Sequence, residues 1–592
     1  MDRSAPQRTG KPASSNRRLY VWYGVLFFII GIIIVRLFYL QIIRHDYYQR
    51  AALSDQQKQY SIAAERGIIE AHQGSSIVPL VLNEKLYTLY ADPTLVKHPA
   101  DDALKLTAIT KGDTATYANL MKTKNTRYAV LGKRLSEQQM KQITALQLPG
   151  VGLQALDYRT YPQGNLAAQV LGFVNNDGQG TYGIEQALNK PLSGTPGMLK
   201  AITDASGVPL AANRSNIQID PVAGSNVVLS LNLSMQKSLE AILQQGLQKV
   251  GSPSGSAIIM DPNTGAILAM ANWPSFDPSK YFDVSDPGLF NNPTVSAPLE
   301  IGSVMKTLTM SAGLDQGVIT PTTTYHDPGY VTVDGFTIRN VHAVPTDPVS
   351  IQDVMKYSLN TGAVHVLGLL GGGEINQKAR DTWHDYMTNH FQLGKPTGIG
   401  LPNDAAGSIP DPDNGYSLNL QYANTTFGQG MTATILQLVS AFSSVINGGT
   451  YYQPYIIESQ TGSGINHQTK PVVVKKNVIS PSASVQIQSL LQYVFNQNYG
   501  VYSAHLHPGY TIGGKTGTAQ IPQPGGGYKD NVYNGTFLGY VGGNKPQYAV
   551  AVLVNTPDLP GYDSAGAQAA APIFGNVEDM LINDFNVVPI TP

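Results

Sequence analysis

A serine followed three residues later by a lysine is the first feature of this 592-residue chain that could perform chemistry. If a helix begins at Ser303, Lys306 lies on the same helical face and within reach of the serine hydroxyl. A serine hydroxyl is a weak nucleophile until a base removes its proton, and a lysine is such a base only when its pKa is lowered. Burial and a second nearby cation would both lower that pKa. Ser-x-x-Lys alone also fits an ordinary helix start, so the pair needs partners.

Two further motifs follow in an order that supplies such partners. Ser358-Leu359-Asn360 begins 55 residues after the first serine (358 minus 303), and the lysine of Gly514-Lys515-Thr516-Gly517-Thr518 follows it by 212 (515 minus 303). The Ser358 hydroxyl could relay a proton to a leaving amine, and the Asn360 amide could bond both the lysine and the substrate. Each motif by itself also fits a helix cap or an edge strand.

The third motif predicts a strand at the edge of a substrate cleft. Thr516 and Thr518 would face one side of that strand and Lys515 the other, so a bend of the lysine stem or a local twist has to bring its charge into the cleft. The threonine hydroxyls and Lys515 are predicted to bind a substrate carboxylate, and Gly517 would let another chain approach closely. The backbone N–H groups of Ser303 and Thr518 form a candidate oxyanion hole.

The composition excludes several other chemistries. The chain has no cysteine, which removes disulfides, thiolate metal sites and cysteine nucleophiles. Its formal net charge is -1, so we predict no nucleic-acid partner. His505 and His507 would share a face if they lay on a strand, but two imidazoles without further ligands do not make a metal site. We therefore predict no metal.

The N-terminal region predicts a single membrane anchor. Residues 19–35 are 17 consecutive uncharged, mostly apolar residues, and the predicted span is 19–43. Residues 1–18, the predicted cytoplasmic tail, carry five basic residues against one acidic residue, so the positive-inside rule places the N-terminus in the cytoplasm and the rest outside. A cleaved signal peptide is the alternative, but bulky or polar residues at 36–41 leave no small-residue cleavage site.

Two regions follow the anchor. Residues 44–225 read as a β-rich segment, with one helix predicted around Ser136 to Gln147. Residues 226–585 read as one α/β (α+β) domain with an antiparallel sheet flanked by helices. Strands at 257–260 and 266–270 should form a hairpin, and two late strands at 537–541 and 548–554 should close the same sheet.

The three motifs together resemble those of serine β-lactamases and penicillin-binding proteins. The whole chain most resembles class B penicillin-binding proteins, which join an anchor, a dimerisation-type pedestal and a transpeptidase domain. Further stretches agree with this family: Arg66-Gly67-Ile68-Ile69, Arg159-Thr160-Tyr161-Pro162-Gln163-Gly164, Gly183-Ile184-Glu185-Gln186 and Gly428-Gln429-Gly430-Met431-Thr432. The resemblance departs at Ile301, where the family usually has proline, and at Leu359, where a smaller residue is commoner.

The resemblance implies a peptidoglycan D,D-transpeptidase. Ser303 would be acylated by a stem peptide ending in D-Ala-D-Ala, D-alanine would leave, and an amine of a neighbouring stem peptide would take the acyl group. β-Lactams should acylate Ser303 as substrate mimics, and no cofactor is implied. Arg66, Arg159 and Glu185 are expected to be structural ion-pair partners.

Asn360 resembles the division-specific, FtsI-like branch more than the elongation branch, which often has aspartate there. The expected partners are then the membrane, a membrane glycosyltransferase and divisome proteins. The alternatives are an elongation-type transpeptidase, a D,D-carboxypeptidase or β-lactamase that passes the acyl group to water, a β-lactam sensor, and a non-enzymatic division scaffold.

Overall fold

The computed structural model describes residues 16–49, 57–202, 217–343, 347–523, 525–562 and 564–590. Most of the predicted tail 1–18 therefore lies outside the described residues. The chain divides into two compact units, one made of Met1–Ala64 with Thr195–Val222 and the other of Glu65–Gly194 with Ala223–Pro592. The predicted boundaries at residues 18, 43 and 225 stay predictions.

The first unit contains the apolar N-terminal helix and a small sheet. Helix α1 (Asn16–Phe38) continues into a π-helical segment, Tyr39–Ile43. Its stretch Arg17–Ile43 has 27 residues and a mean hydropathy of 2.5, which is long and apolar enough to cross a bilayer. The sheet is antiparallel in the order β1-β8-β9, with β1 (Gln57–Ile62), β8 (Gly197–Ile202) and β9 (Ile217–Ile219).

The β-rich part of the second unit is organised around one long strand. This strand, β3 (Ser76–Ala91), pairs antiparallel with β2 (Ile69–Gln73), β4 (Ala129–Leu135) and β5 (Val151–Thr160). A short pair, β6 (Phe173–Val174) and β7 (Gly180–Thr181), follows. The helices here are α2 (Pro99–Thr110), α3 (Thr114–Leu120), α4 (Glu137–Ala145), α5 (Ala168–Leu171), α6 (Gly183–Ala187) and α7 (Asn189–Ser193). Helix α4 confirms the predicted helix, and Ser136 closes its N-terminus in a capping box with Gln139.

A buried ion cluster holds the β-rich part together. Glu185 is fully buried, and its two carboxylate oxygens accept hydrogen bonds from Arg66 Nε and Arg159 Nε, each at 2.8 Å. The sequence prediction that these three residues are structural partners is confirmed. Because the arginines come from segments far apart in sequence, the cluster fixes the packing of three chain segments.

The C-terminal part of the second unit is built on a five-stranded antiparallel sheet. Its order is β12-β11-β23-β22-β21, with β11 (Ser254–Met260), β12 (Ile267–Trp273), β21 (Thr511–Pro522), β22 (Tyr528–Gly542) and β23 (Pro546–Asn555). Both the predicted hairpin and the closure of the sheet by late strands are confirmed. The third motif lies on β21, which is an edge strand of this sheet.

The remaining strands are short or join the β-rich part. Strand β10 (Asn226–Asn232) runs parallel to β2 and antiparallel to β18 (Ile457–Gly462), so the sheet of the β-rich part extends into the C-terminal part. The others are β13 (Thr324–Tyr325), β14 (Tyr330–Val333), β15 (Phe336–Arg339), β16 (Val349–Ser350), β17 (Thr450–Tyr452), β19 (Ile465–Gln468) and β20 (Val473–Lys476).

Helices cover both faces of the five-stranded sheet. The helices of this part are α8 (Leu233–Lys249), α9 (Pro293–Ser296), α10 (Lys306–Asp315), α11 (Ile351–Lys356), α12 (Asn360–Leu370), α13 (Gln377–Asp385), α14 (Leu418–Thr425), α15 (Ile435–Ile446), α16 (Pro481–Asn498) and α17 (Ala571–Asp584). Of these, α8, α9, α15, α16 and α17 pack directly on the sheet, and the others pack mainly on neighbouring helices and short strands. Alternate strand residues enter two hydrophobic cores: Ile258 packs in the core of α10, α15 and α16, whereas Ile259 packs in the core of α8 and α17. This alternation is the physical basis of the predicted sheet flanked by helices.

Candidate active site

The first motif lies at the entry to a buried helix. Residues Gly302–Met305 form a 3₁₀ turn that leads directly into α10, so Ser303 and Lys306 lie one turn apart. Lys306 Nζ donates a hydrogen bond to Ser303 Oγ at 2.7 Å. Lys306 is fully buried and Ser303 is 9% exposed. The predicted pairing of nucleophile and amine is therefore present, in a site that excludes most water.

The second motif places two acceptors on the same amine. Lys306 Nζ donates to Asn360 Oδ1 at 2.8 Å and to the Ser358 carbonyl oxygen at 3.0 Å. Ser358 lies between α11 and α12 with a φ of 56°, a left-handed conformation that is uncommon for a residue with a side chain. That conformation presents both the carbonyl and the hydroxyl of Ser358 to Lys306, because Lys306 Nζ also lies 3.3 Å from Ser358 Oγ.

The third motif joins the second through its lysine. Lys515 Nζ donates to Ser358 Oγ at 3.0 Å and to the Thr516 carbonyl oxygen at 3.0 Å, and its side chain is buried. The two lysines thus share one hydroxyl. This hydroxyl is placed to pass a proton between the nucleophile side and the leaving-group side of the site.

Thr516 and Thr518 face the side of β21 opposite to Lys515, as predicted, but the prediction that a bend of the lysine stem or a local twist must bring the Lys515 charge round is wrong. A Cβ on Gly517 would lie 2.8 Å from the Ile301 carbonyl oxygen and 3.0 Å from Val304 N. The face that Gly517 shares with Lys515 is therefore the one that meets the 3₁₀ turn Gly302–Met305, which we call the catalytic turn. Lys515 therefore reaches the site directly. Thr516 and Thr518 belong to the other face; Thr516 Oγ1 lies 3.4 Å from Lys515 Nζ, at the strand edge.

Strand β21 approaches the catalytic turn at its backbone. A Cβ on Gly302 would come within 2.4 Å of the Thr518 carbonyl oxygen and 3.0 Å of its nitrogen. Gly302 also has a φ of 65°. Glycine is needed at this position both for its backbone conformation and for this close approach. The same oxygen of Thr518 accepts a hydrogen bond from Tyr562 Oη at 3.0 Å, which holds the strand in place.

The loop at 428–430 packs against the first motif from the opposite side. Gly302 N donates to the Gly428 carbonyl oxygen at 3.2 Å, and a Cβ on Gly428 would lie 2.2 Å from the Gly302 carbonyl oxygen. The Phe427 ring centroid is 5.8 Å from Lys306 Nζ. This loop is the stretch Gly428-Gln429-Gly430-Met431-Thr432 of the family resemblance, and the structure brings it to the site.

Sequence reasoning missed Glu300. Its Oε1 accepts hydrogen bonds from Gly430 N at 2.9 Å and from Tyr528 Oη at 3.2 Å, so it ties the 428–430 loop and β22 to the first motif. Burial raises the pKa of the Glu300 carboxyl, and the two hydrogen bonds oppose that rise. Its Oε2 is buried without a hydrogen-bond partner in the described part of the chain. The available signal was its position three residues before Ser303 (303 minus 300).

His505 and His507 do not belong to this site. They lie in the irregular segment between α16 and β21 and not on a strand, and both contact Asp579 of α17.

The arrangement matches a known family over most of the chain. Residues 255–579 match the penicillin binding protein transpeptidase domain, and residues 61–229 match the penicillin-binding protein dimerisation domain. The chain belongs to the penicillin-binding protein transpeptidases. The three motifs of the site all lie in the first of these matches.

Individual relatives and solved structures agree with this membership. Penicillin-binding protein PbpB of Mycobacterium tuberculosis is 32% identical over 75% of this chain, and the match spans 64% of that protein's length. Peptidoglycan D,D-transpeptidase FtsI of Escherichia coli K12 is 26% identical over 96% of this chain and 91% of its own. A crystal structure of Mycobacterium tuberculosis penicillin binding protein 3 complexed with aztreonam is 26% identical with a TM-score of 0.66, covering 90% of this chain and 98% of that chain.

Proposed function

We propose that this penicillin-binding protein cross-links peptidoglycan through an acyl-enzyme on Ser303, with stem peptides ending in D-Ala-D-Ala as donors. One observation carries the proposal: the three motifs form one hydrogen-bonded network, from Ser303 to Lys306 to Ser358 to Lys515. A nucleophile, its base, a proton relay and a fixed cation are the parts that acyl transfer needs.

In acylation, Lys306 is a neutral amine whose two N–H groups bond Asn360 Oδ1 and the Ser358 carbonyl oxygen. Its lone pair then takes the Ser303 proton while Ser303 Oγ bonds to the carbonyl carbon of the penultimate D-alanine. Burial opposes protonation of an amine, as does a second ammonium nearby, and both conditions hold at Lys306. The backbone N–H groups of Ser303 and Thr518 receive the developing oxyanion, where one donor is worth about 3 kcal/mol. The close approach of Thr518 to Gly302 supports this pairing.

When the tetrahedral intermediate collapses, the C–N bond to the terminal D-alanine breaks and its nitrogen takes a proton. Ser358 Oγ supplies that proton and recovers one from Lys306, which lies 3.3 Å away. The acceptor amine then attacks the ester carbonyl, loses its proton along the same relay, and releases Ser303. Asn360 keeps Lys306 in position through its 2.8 Å hydrogen bond.

The donor carboxylate binds near Lys515 and Thr516, whereas Thr518, whose side chain lies on the other face of β21, contributes its backbone N–H. Lys515 supplies a fixed positive charge at the edge strand, and the Thr516 hydroxyl lies beside it. A β-lactam carries a carboxylate in the corresponding place, which supports acylation of Ser303 by these drugs.

A septal role is the finer part of the proposal. It rests on Asn360 in the second motif and on the similarity to the Escherichia coli protein named FtsI. A divisome and a membrane glycosyltransferase are then the proposed partners. The apolar helix at the N-terminus and the basic residues that precede it support a single-pass anchor with a cytoplasmic N-terminus and an outer catalytic domain.

The test uses the full chain in detergent with a fluorescent penicillin. Wild type should form a stable covalent adduct, whereas Ser303→Ala and Lys306→Ala should not. Ser311→Ala is the matched control, since Ser311 is a buried serine of α10 whose hydroxyl donates to the Thr307 carbonyl oxygen of the same helix. An equal signal from wild type and Ser303→Ala would refute the acyl-enzyme.

A second measurement separates transfer from hydrolysis. A D-Ala-D-Ala peptide is supplied together with an amine acceptor, and the products are identified by mass spectrometry. Amide product should exceed free acid. Free acid alone, or rapid loss of the penicillin label, would assign a carboxypeptidase or β-lactamase in place of a transpeptidase.

A further inference from the structure

Two histidines and one aspartate meet at a point that the transpeptidase chemistry does not use. His505 Nδ1 lies 2.8 Å from Asp579 Oδ2, and His507 Nε2 lies 2.7 Å from Asp579 Oδ1. The Asp579 carboxylate therefore bridges the two imidazoles, with one imidazole on each of its oxygens. The sequence offered the two histidines without a third ligand; the fold supplies it from α17, 72 residues beyond His507 (579 minus 507).

The ligand atoms of the three side chains are only slightly farther apart than those of a formed zinc site. Their ligand atoms all lie within 4.8 Å of one another. Zinc bonds of about 2.0–2.2 Å in tetrahedral geometry place ligand atoms roughly 3.3–3.6 Å apart. An ion would enter by replacing the two hydrogen bonds to Asp579, with rotation of the carboxylate and the exposed His505 ring.

The backbone around the cluster is held in place independently of any ion. A Cβ on Gly575 would lie 3.0 Å from Ala504 Cβ, so glycine lets the histidine segment pack against α17 one turn before Asp579. The backbone N–H of His505 donates to Glu578 Oε1 at 3.1 Å. The carbonyl oxygen of Gly509 accepts from Ile590 N at 2.7 Å. The ligands are therefore carried on a fixed frame, which lowers the ordering cost of binding an ion.

The cluster also differs from the ordinary histidine–carboxylate pairs of this chain. His72 pairs with Glu458 at 2.6 Å, and His326 pairs with Asp347 at 2.6 Å, each with one imidazole to one carboxylate. A single pair of this kind is an ion pair when the imidazole is protonated. Two imidazoles on one carboxylate offer two nitrogen ligands and one oxygen ligand, a ligand set that suits first-row divalent cations.

We propose that His505, His507 and Asp579 bind one first-row divalent cation, with zinc as the preferred ion and water in the open position. The ion would fasten the segment that leads into β21 to α17. Strand β21 carries Lys515, so the site would stabilise the domain near the third motif while taking no part in acyl transfer. The proposal is independent of the reaction assigned to Ser303.

The test measures zinc binding by the full chain in detergent after removal of metal with a chelator and dialysis. Wild type should bind one zinc per chain, and His505→Ala and His507→Ala should each bind at least about 10-fold more weakly, because each removes one of three ligands. His72→Ala, which breaks a one-imidazole pair, should bind as wild type does. Cobalt in place of zinc should give visible absorption bands that the two ligand variants lack.

Fluorescent penicillin labelling reports folding separately, since neither histidine lies in the catalytic network. His505→Ala and His507→Ala should each label as wild type does. Zinc should raise the melting temperature of wild type but not that of the double variant, which carries both substitutions. The proposal is overturned if wild type binds no more zinc than the double variant, or if His72→Ala weakens binding as much as His505→Ala. A transpeptidase that fails to label would refute the proposed function and leave the zinc result standing.

Discussion

Lys515 donates a hydrogen bond to Ser358 Oγ at 3.0 Å, and Lys306 Nζ lies 3.3 Å from the same oxygen. This shared hydroxyl is where the third motif meets the first, although the two lysines are separated by 209 residues (515 minus 306). The distances imply that a change at Lys515 affects both substrate binding and the proton relay. The two effects can be separated with substrates that differ only in their carboxylate.

Replacing Lys515 by alanine should therefore discriminate between a penicillin and its methyl ester. Loss of a charge-assisted hydrogen bond costs about 1.5–3 kcal/mol, so acylation by the acid should fall by roughly 10- to 100-fold more than acylation by the ester. The measurement is the rate of acylation by each compound. Lys356→Ala removes a half-buried lysine that bonds Gln497 outside the catalytic network, and it should leave both rates unchanged. An equal loss for acid and ester would place Lys515 in the proton relay alone.

Gly302 and Gly317 provide a matched pair for testing the close approach of β21. Both have a left-handed backbone, with φ of 65° and 67°, but a Cβ meets Thr518 at Gly302 and open space at Gly317. Alanine costs about 1–2 kcal/mol of conformational energy at either position. Only Gly302→Ala should displace the Thr518 N–H, with a fall of about 10²-fold in the penicillin acylation rate. Comparable acylation rates in the two variants would show that the approach has no part in catalysis.

The buried Glu300 carboxyl should make stability depend on pH. Burial raises the pKa of this carboxyl in the folded chain above the 4.5 of an unperturbed glutamate, so the folded state binds a proton more readily than the unfolded state. The free energy of unfolding then falls as pH rises from that value through the raised one. Glu300→Gln keeps an acceptor for Gly430 and cannot ionise.

The melting temperature of Glu300→Gln should thus exceed that of wild type at pH 8, and the difference should shrink toward pH 4.5. Glu137→Gln is a control for which the melting-temperature difference from wild type should change with pH in the opposite direction, because the hydrogen bond from Lys141 lowers the pKa of Glu137. A difference between Glu300→Gln and wild type that is constant with pH would contradict the proposed cause.

The ion cluster at Glu185 should matter for stability and not for chemistry. Glu185→Ala leaves two arginines without their buried partner, which should cost about 3–5 kcal/mol in the free energy of unfolding. Urea unfolding measures this loss. Arg127→Ala, which breaks an exposed pair with Asp92, should have a much smaller effect. At low temperature, the folded fraction of Glu185→Ala should still be labelled by penicillin; a labelling defect in folded protein would connect the cluster to the active site.

Much of the fold followed from patterns that are local in sequence. Apolar residues at helical spacing predicted the helix around Ser136 to Gln147, and apolar runs at 257–260 and 266–270 around a turn predicted a hairpin, because both signals involve residues only a few positions apart. The membership of distant strands in one sheet was inferred from their apolar character. The pairing of β10 with β2 joins the β-rich part to the C-terminal part, and it could not be predicted from local sequence because the two strands are far apart in the chain.

The sequence by itself determined that Ser303 and Lys306 lie one helical turn apart, and that Lys515 and Thr516 face opposite sides of a strand, since helix and strand periodicity are properties of the backbone. The tertiary structure alone decided that the Lys515 face of β21 meets the catalytic turn, because that depends on the side of the sheet on which α10 lies. It also decided the burial of Glu300 and the meeting of Asp579 with two histidines. These contacts join residues far apart in the chain, and only packing brings such residues together.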